Sequence, residues 1–451
     1  RRDQRANIAV VFSVALLPVL TAVGCAVDYS QTVRVQAKLQ AAADLASVAS
    51  IAAKSPGYLA AAAMTGDGSV PAGATDAANI FNGNVSAAGS EYTHLSAAAS
   101  VVKTGRTLTS TVMFSASVPV TFLQVLGYSS LTISSSAIAT SALPAFLDFY
   151  LMLDVSGSMG LPSTAAEQAR LAAINPDLIS AYPGGCSFAC HFSGSQGYDL
   201  SRDGGNPANV PVTACTSVGS PACIQLRVDA VGNAVNQLLV TANSAATVSN
   251  QYRIGLYPFI QNLYSYFPMT GSIAGSSSTP GTINYAAATL ATLLDTGSDP
   301  NLGAGGTHFE NALPSINGLI SSVGGGTGWN DTLPFVVLIT DGAEDSQTYS
   351  AGNWTCCNRA TTLDPSLCTA IKSRGIQMAV LYIPYLPIQN PSPSFGGGED
   401  IYANNNIPNI PPALQSCASP SYFFTANTPA DITHALNTIF NQARSTARLA
   451  Y

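Results

Sequence analysis

Near the start of the chain the apolar positions form one long uncharged run. Ile8 to Val27, IAVVFSVALLPVLTAVGCAV, carries no charged residue. A helix of that length covers about 30 Å, the hydrocarbon thickness of a bilayer. From Tyr29 to Lys54 the pattern becomes helical, without Gly or Pro, with Val33, Gln36, Leu39, Ala43, Ala46 and Ser50 at three- and four-residue spacing. The spacing predicts a helix that continues past the apolar run and offers a small-residue stripe, either to another helix or to its own domain. Strict alternation follows: Leu108, Ser110, Val112, Phe114, Ala116 and Val118 share one face of a predicted strand. LTISSSAIATSA is a second strand whose broken alternation predicts a bulge, and TFLQVLG between them predicts a short helix ending at Gly127. The glycines and Asp of residues 65–75 predict a loop.

Beyond Phe146 the periods alternate between strand and helix. Phe146–Leu153 reads as a buried strand despite Asp148, and CIQLRVDAVGNAVNQLLVTAN as a helix. YRIGLYPFI is a strand. HFENALPSINGLI is a helix with Phe309, Leu313, Ile316 and Leu319 on one face, and LPFVVLITDG is the strongest strand of the chain. DPSLCTAIKSRG, IQMAVLYIPY, PPALQSCAS, YFFTAN and the C-terminal PADITHALNTIFNQARSTARL continue the alternation. The order predicts an α/β class: a doubly wound, mostly parallel sheet with helices on both faces. It is preceded by a transmembrane helix and a small α+β region. The expected division is 1–50 (anchor and emerging helix), 51–145 (small α+β region) and 146–451, with insertions near 161–222 and 343–363.

Composition narrows the setting. Charged residues are 9% of the 451, far below the ~25% of average soluble domains, and the net charge of −7 provides no basic stripe for nucleic acid. Arg1, Arg2 and Arg5 precede the apolar run, which predicts a cytoplasmic N-terminus and an exported remainder. A cleaved signal peptide, with small Ala22 and Gly24, is disfavoured because the run exceeds the usual ~7–15 residues. A lipoprotein ending AVGC at Cys25 is the third reading. Outside that run eight cysteines remain, an even number that suits disulfides in an oxidising compartment. Zinc on Cys186, Cys190 and His191 is the competing reading. Adjacent Cys356 and Cys357 point to distant partners, and Cys368 and Cys417, on helices after successive strands, are placed to bridge.

The candidate chemistry lies at the strand ends. Asp154, Ser156 and Ser158 leave the first large strand in DVSGSM, Thr307 follows GAGG at a helix start, and Asp341 ends VVLIT. In a doubly wound sheet these loops share the carboxyl edge, where ligands bind. Oxygen donors, mostly neutral, suit a hard divalent cation: Mg²⁺, or another such as Ca²⁺ or Mn²⁺. Hydroxyls ligate without cancelling its charge, so a position remains for a partner's carboxylate. Thr327, after its own glycine run, is the rival threonine but lies just before a strand. Glu344 and Asp345 read as solvated loop charges.

Two resemblances follow from these residues. The Asp-x-Ser-x-Ser…Thr…Asp pattern over 146–451 resembles the von Willebrand factor A (VWA) domain and its metal-ion-dependent adhesion site (MIDAS). That resemblance implies Asp154, Ser156, Ser158 and Thr307 as ligands and Asp341 as a ligand through water. The basic N-terminus, CAVDYS and LQAAADLASVAS resemble the start of TadE/TadG-like Flp (Tad) pilus-assembly proteins, implying a component of a bacterial pilus machine. The expected function is a membrane-anchored, exported VWA protein, single-pass in the bacterial inner membrane through residues 8–27, its bulk periplasmic or extracellular. It binds an acidic residue of a protein partner through the metal, in pilus assembly or cell adhesion. The alternative is a structural minor-pilin or adhesin subunit whose metal site mainly stabilises the fold. An enzyme is not expected: the four histidines, His94, His191, His308 and His434, accompany no HExxH, GxSxG or phosphate-binding loop.

Overall fold

The computed structural model describes residues 4–85, 91–174, 215–220, 223–295, 299–350, 353–355, 360–385, 387–388, 391 and 399–449. The chain forms two compact units, Arg1–Pro144 and Ala145–Tyr451. Cys186, Cys190, His191, Cys356 and Cys357 lie outside the described residues, as does most of the 161–222 insertion.

In the first unit, helix α1 (Gln4–Ala49) runs unbroken through the apolar segment and the Ala-rich stretch, with Pro18 inside it. Before Asp28 the side chains of Val11, Phe12, Val14, Val19, Leu20 and Val23 are all exposed. From Asp28 onward one face is buried: Thr32, Val35, Leu39, Ala42, Ala43, Ala46 and Ser50. The stripe differs from the expected one at its start, because Val33 is exposed and Val35 buried. Counting back from Leu39 at 3.6 residues per turn gives Val35, Thr32 and Asp28; Val33 falls on the opposite flank. The stripe is used within its own unit, against an antiparallel sheet and α3 (Pro71–Val85).

That sheet has the order β1 (Gly68–Ser69), β2 (Thr93–Thr104), β3 (Thr107–Pro119), β4 (Ser130–Ala142). Alternation in β3 is as expected: Leu108, Ser110, Val112, Phe114, Ala116 and Val118 are all buried. The bulge expected in β4 is absent. Register with β3 is unbroken from Thr107↔Ala142 to Pro119↔Ser130, and the irregularity lies in β2, between Thr93 and Ser96. The alternation of β4 is broken by Ile138 standing on the outer face, 67% exposed. The loop expected over 65–75 is present at 65–67 and 70, while the strand β1 and the first turn of α3 take the rest; Pro71 starts α3 because a helix's first N–H needs no partner. Ser55 caps the short α2 (Pro56–Ala63), accepting from the Tyr58 N–H.

The second unit is a six-stranded sheet. Its order is β14 (Phe423–Thr425), β13 (Gln377–Tyr382), β8 (Leu333–Thr340), β5 (Leu147–Asp154), β6 (Tyr252–Phe259), β7 (Phe267–Thr270). All neighbours are parallel except β6 and β7. Side chains of β5 alternate between two cores. Leu147, Phe149, Leu151 and Leu153 pack with α5 (Arg227–Ala245), α6 (Ile283–Ala288) and α11 (Pro429–Leu449). Met152 packs with Val336 and Leu338 against α7 (Phe309–Leu319), α8 (Pro365–Lys372) and α10 (Ile410–Cys417). The unit is therefore the mixed α/β, mostly parallel, doubly wound class the pattern predicts. In α7 the buried face is Phe309, Ala312, Leu313 and Ile316. Leu319 is exposed and Ile320, just past the helix end, takes its place. The antiparallel β7 carried no sequence prediction, nor did α4 (Ala165–Ile174) or α9 (Glu399–Asn406). The chain after β8 adds two small ladders: β9 (Ala343–Glu344) pairs with β12 (Thr361–Thr362), and β10 (Thr348–Ser350) with β11 (Asn353–Thr355). Cys368 and Cys417 form a disulfide joining α8 to α10, Cα atoms 5.1 Å apart, and Cys215 bonds Cys223.

Candidate metal centre

β5 ends at Asp154, and the chain turns at once through Ser156 and a 3-10 turn over Gly157–Gly160. The Ser156 N–H and hydroxyl both donate to Asp154 Oδ1, at 3.0 and 2.6 Å. Ser156 Oγ lies 3.1 Å from Ser158 Oγ. The second carboxylate oxygen is held from the neighbouring strand: Thr340 Oγ1, at the end of β8, donates to Asp154 Oδ2 at 2.6 Å, and itself accepts from the Gly342 N–H. Asp341 follows on β8. Its Oδ2 accepts from Arg227 Nη1 at 3.0 Å, while its Oδ1 is buried with no hydrogen-bond partner. Arg227 opens α5 and is itself buried; Nη2 donates to the Pro384 carbonyl and the guanidinium lies over the Tyr385 ring, 5.2 Å from its centre.

Two buried carboxylates this close oppose each other's ionisation. Burial, then the charge of Asp341, pushes Asp154 up to about 7, against the pull of the Ser156 and Thr340 hydrogen bonds. Burial also raises Asp341, and Arg227 pulls it back. The pair lacks positive charge: Arg227 is one cation beside two acids. A buried carboxylate oxygen without a donor is an uncommon feature that an ion or water normally resolves. Two carboxylates and several hydroxyls, all oxygen donors, suit a hard divalent cation. Among the described residues no three His, Cys, Asp or Glu side chains gather as a metal cluster.

Thr307 reaches the same edge through its backbone. Its N–H donates to the Asp345 carbonyl and its carbonyl accepts from the Asp345 N–H, just past β8. The next N–H, of His308, donates to Ile260, just past β6. His308 is buried and held at both ring nitrogens, by Glu310 at 2.6 Å and the Gln347 carbonyl at 2.8 Å. Thr327 lies elsewhere: its hydroxyl donates to Asp331, and neighbouring Gly326 accepts from Phe146, at the amino end of β5. Glu344 is not the solvated charge expected. It is partly buried, and burial, with Glu310 beside it, pushes it up to about 7.

Two residues of the centre escaped the sequence reading. Thr340 was hidden inside an apolar strand. Arg227 carried a signal: a lone cation between Leu226 and Val228 in a helix whose neighbouring positions are apolar.

Residues 6–63 match the model of the putative Flp pilus-assembly TadE/G-like family. The TadE/G-like segment thus includes the whole apolar run and continues through α2. No curated protein matches the chain. Among solved structures, the vWF domain of the type V pili tip protein Mfa5 from Porphyromonas gingivalis is similar at 11% identity and TM-score 0.34, covering 68% of this chain and 97% of that one. The pilus adhesin SpaC from Lactobacillus rhamnosus GG is similar at 12% identity and TM-score 0.35, over 78% of this chain and 34% of that one. Proximal thread matrix protein 1 from the mussel byssus is similar at 13% identity and TM-score 0.33, over 67% and 49%. A further structure of that byssus protein has a zinc-occupied MIDAS motif. This chain spans about half of the byssus protein and a third of the adhesin.

Proposed function

We propose that this chain is a membrane-anchored, exported protein of the Tad pilus type that engages protein partners through a divalent cation. Asp154, Ser156, Ser158 and Thr307 would hold the ion directly, and Asp341 through water. The observation that carries the reading is the buried, donorless Oδ1 of Asp341 beside a second buried carboxylate, at the edge where a parallel sheet offers ligands. When bound, the ion supplies an electrophilic position that an acidic side chain of a partner can fill. The chain's own residues do the positioning: Ser156 and Thr340 fix both oxygens of Asp154, and Arg227 fixes one oxygen of Asp341. The role is binding, not turnover.

The anchor is the apolar run 8–27, crossing the bacterial inner membrane once with Arg1, Arg2 and Arg5 on the cytoplasmic side, the bulk being periplasmic or extracellular. Supporting it are a helix long and apolar enough to span a bilayer and the TadE/G-like match. The proposed domains are 1–50, 51–145 and 146–451. Full-length Asp154→Ala should lose Mg²⁺-dependent binding of acidic partner proteins while keeping its circular dichroism spectrum. Wild-type binding that persists unchanged in chelator would rule out the metal role.

A further inference from the structure

The turn between β3 and β4 carries an apolar tip. Phe122, Val125, Leu126 and Tyr128 are 46%, 79%, 57% and 57% exposed. Side chains of this size are usually covered in soluble domains unless they meet a partner or a lipid surface. No charged residue occurs from Thr107 to Leu147, so no charge in the turn resists leaving water.

The turn is fastened to α1 at one level. Both carboxylate oxygens of Asp28 accept backbone N–H groups: Oδ1 from Thr121 at 3.1 Å, Oδ2 from Phe122 and Leu123 at 2.7 Å each. The Phe122 ring lies against Gly24, where an added Cβ would fall 2.5 Å from Phe122 Cγ. Asp28 immediately follows the apolar run, and Gly24 lies inside it. Gly24 is therefore about 5 Å within the run, at 1.5 Å per residue. The exposed apolar surface of α1 and that of the turn meet there.

We infer that the β3–β4 turn inserts into the outer boundary of the bilayer beside the membrane helix, with lipid as the occupant of its apolar tip. This rests on the membrane anchoring proposed above. Asp28 marks the boundary, its charge satisfied by three N–H groups instead of water. Phe122, Val125 and Leu126 sit among the first acyl carbons, and Tyr128 takes the headgroup level that amphipathic aromatics favour. The unit then rests on the membrane at two points, the helix and the turn.

The full chain, reconstituted in phosphatidylcholine vesicles, tests this by tryptophan quenching with brominated lipid. Val125→Trp probes the turn, Leu16→Trp the middle of the apolar run, and the parent chain, with its two native tryptophans, sets the baseline. Val125 is so exposed that the larger ring displaces nothing. Quenching of V125W above baseline, strongest with bromine near the headgroup end of the acyl chain, is the expected result, with L16W quenched best by deep bromine. L16W quenched and V125W at baseline overturns the turn's insertion and leaves the anchor standing. Neither quenched overturns the anchor reading itself, and this inference with it.

Discussion

Asp154 is one of the buried acids that give the second unit a pH-dependent stability. Its carboxyl sits at about 7 in the folded chain, pushed there first by burial and then by Asp341. Unfolded, it returns to about 4. Between those values the folded chain holds a proton that the unfolded chain has released, so stability falls as pH rises through the window and levels off above 7. Glu344, also near 7, acts in the same sense. Thermal melts of the metal-free chain should thus show the midpoint dropping from pH 4.5 to pH 7. Asp154→Asn combined with Glu344→Gln should flatten that slope, and a slope equal to wild type would remove these two groups as its origin. The acid pair, the serines and the glycine-bearing turn were legible in the sequence because they sit together in DVSGSM and at the end of VVLIT. Thr340 was not, and Arg227 showed only as a lone cation among apolar neighbours, because their place in the centre depends on which strands and helices become neighbours. That information is absent from local spacing.

At the scale of elements, each strand and helix predicted beyond Phe146 is present, since a buried parallel strand and an amphipathic helix write different periods into the chain. What was not legible is short or has no period of its own: β7, the ladders after β8, and the outward Ile138 that imitated a bulge. The disulfide between α8 and α10 is the clearest single tie between elements. It closes a loop of 49 residues, a length at which removal typically costs about 2–4 kcal/mol. Cys368→Ala with Cys417→Ala should lower unfolding stability by about that amount in urea. A change under about 0.5 kcal/mol would mean that the packing of Ile371, Leu414 and Met378 alone holds the two helices. Gly342 is a second constraint: its φ is +78°, and an added Cβ would meet Ile410 at 2.5 Å. The step from Asp341 into the following loop thus admits only glycine without rearrangement.

For the whole molecule, the proposed anchor and the proposed partner site make a prediction about location. Cells expressing the chain should retain it in the inner-membrane fraction, with little in filaments sheared from the surface. Recovery mainly in the sheared filaments would favour a structural subunit over an assembly component. The low charge content foretold an unusual surface, but not how the two units divide the work. In the first unit Ala and Ser of α1 are core, where small side chains let a helix lie close to a sheet. In the second, large aliphatics fill the space between sheet and helices.

The six-stranded sheet ends on one side in the three residues of β14 and on the other in the four of β7, which contains Pro268 and pairs irregularly. Neither border presents a row of free amides long enough to template a stranger's strand. Concentrating this unit should therefore not seed cross-β stacking through its central sheet.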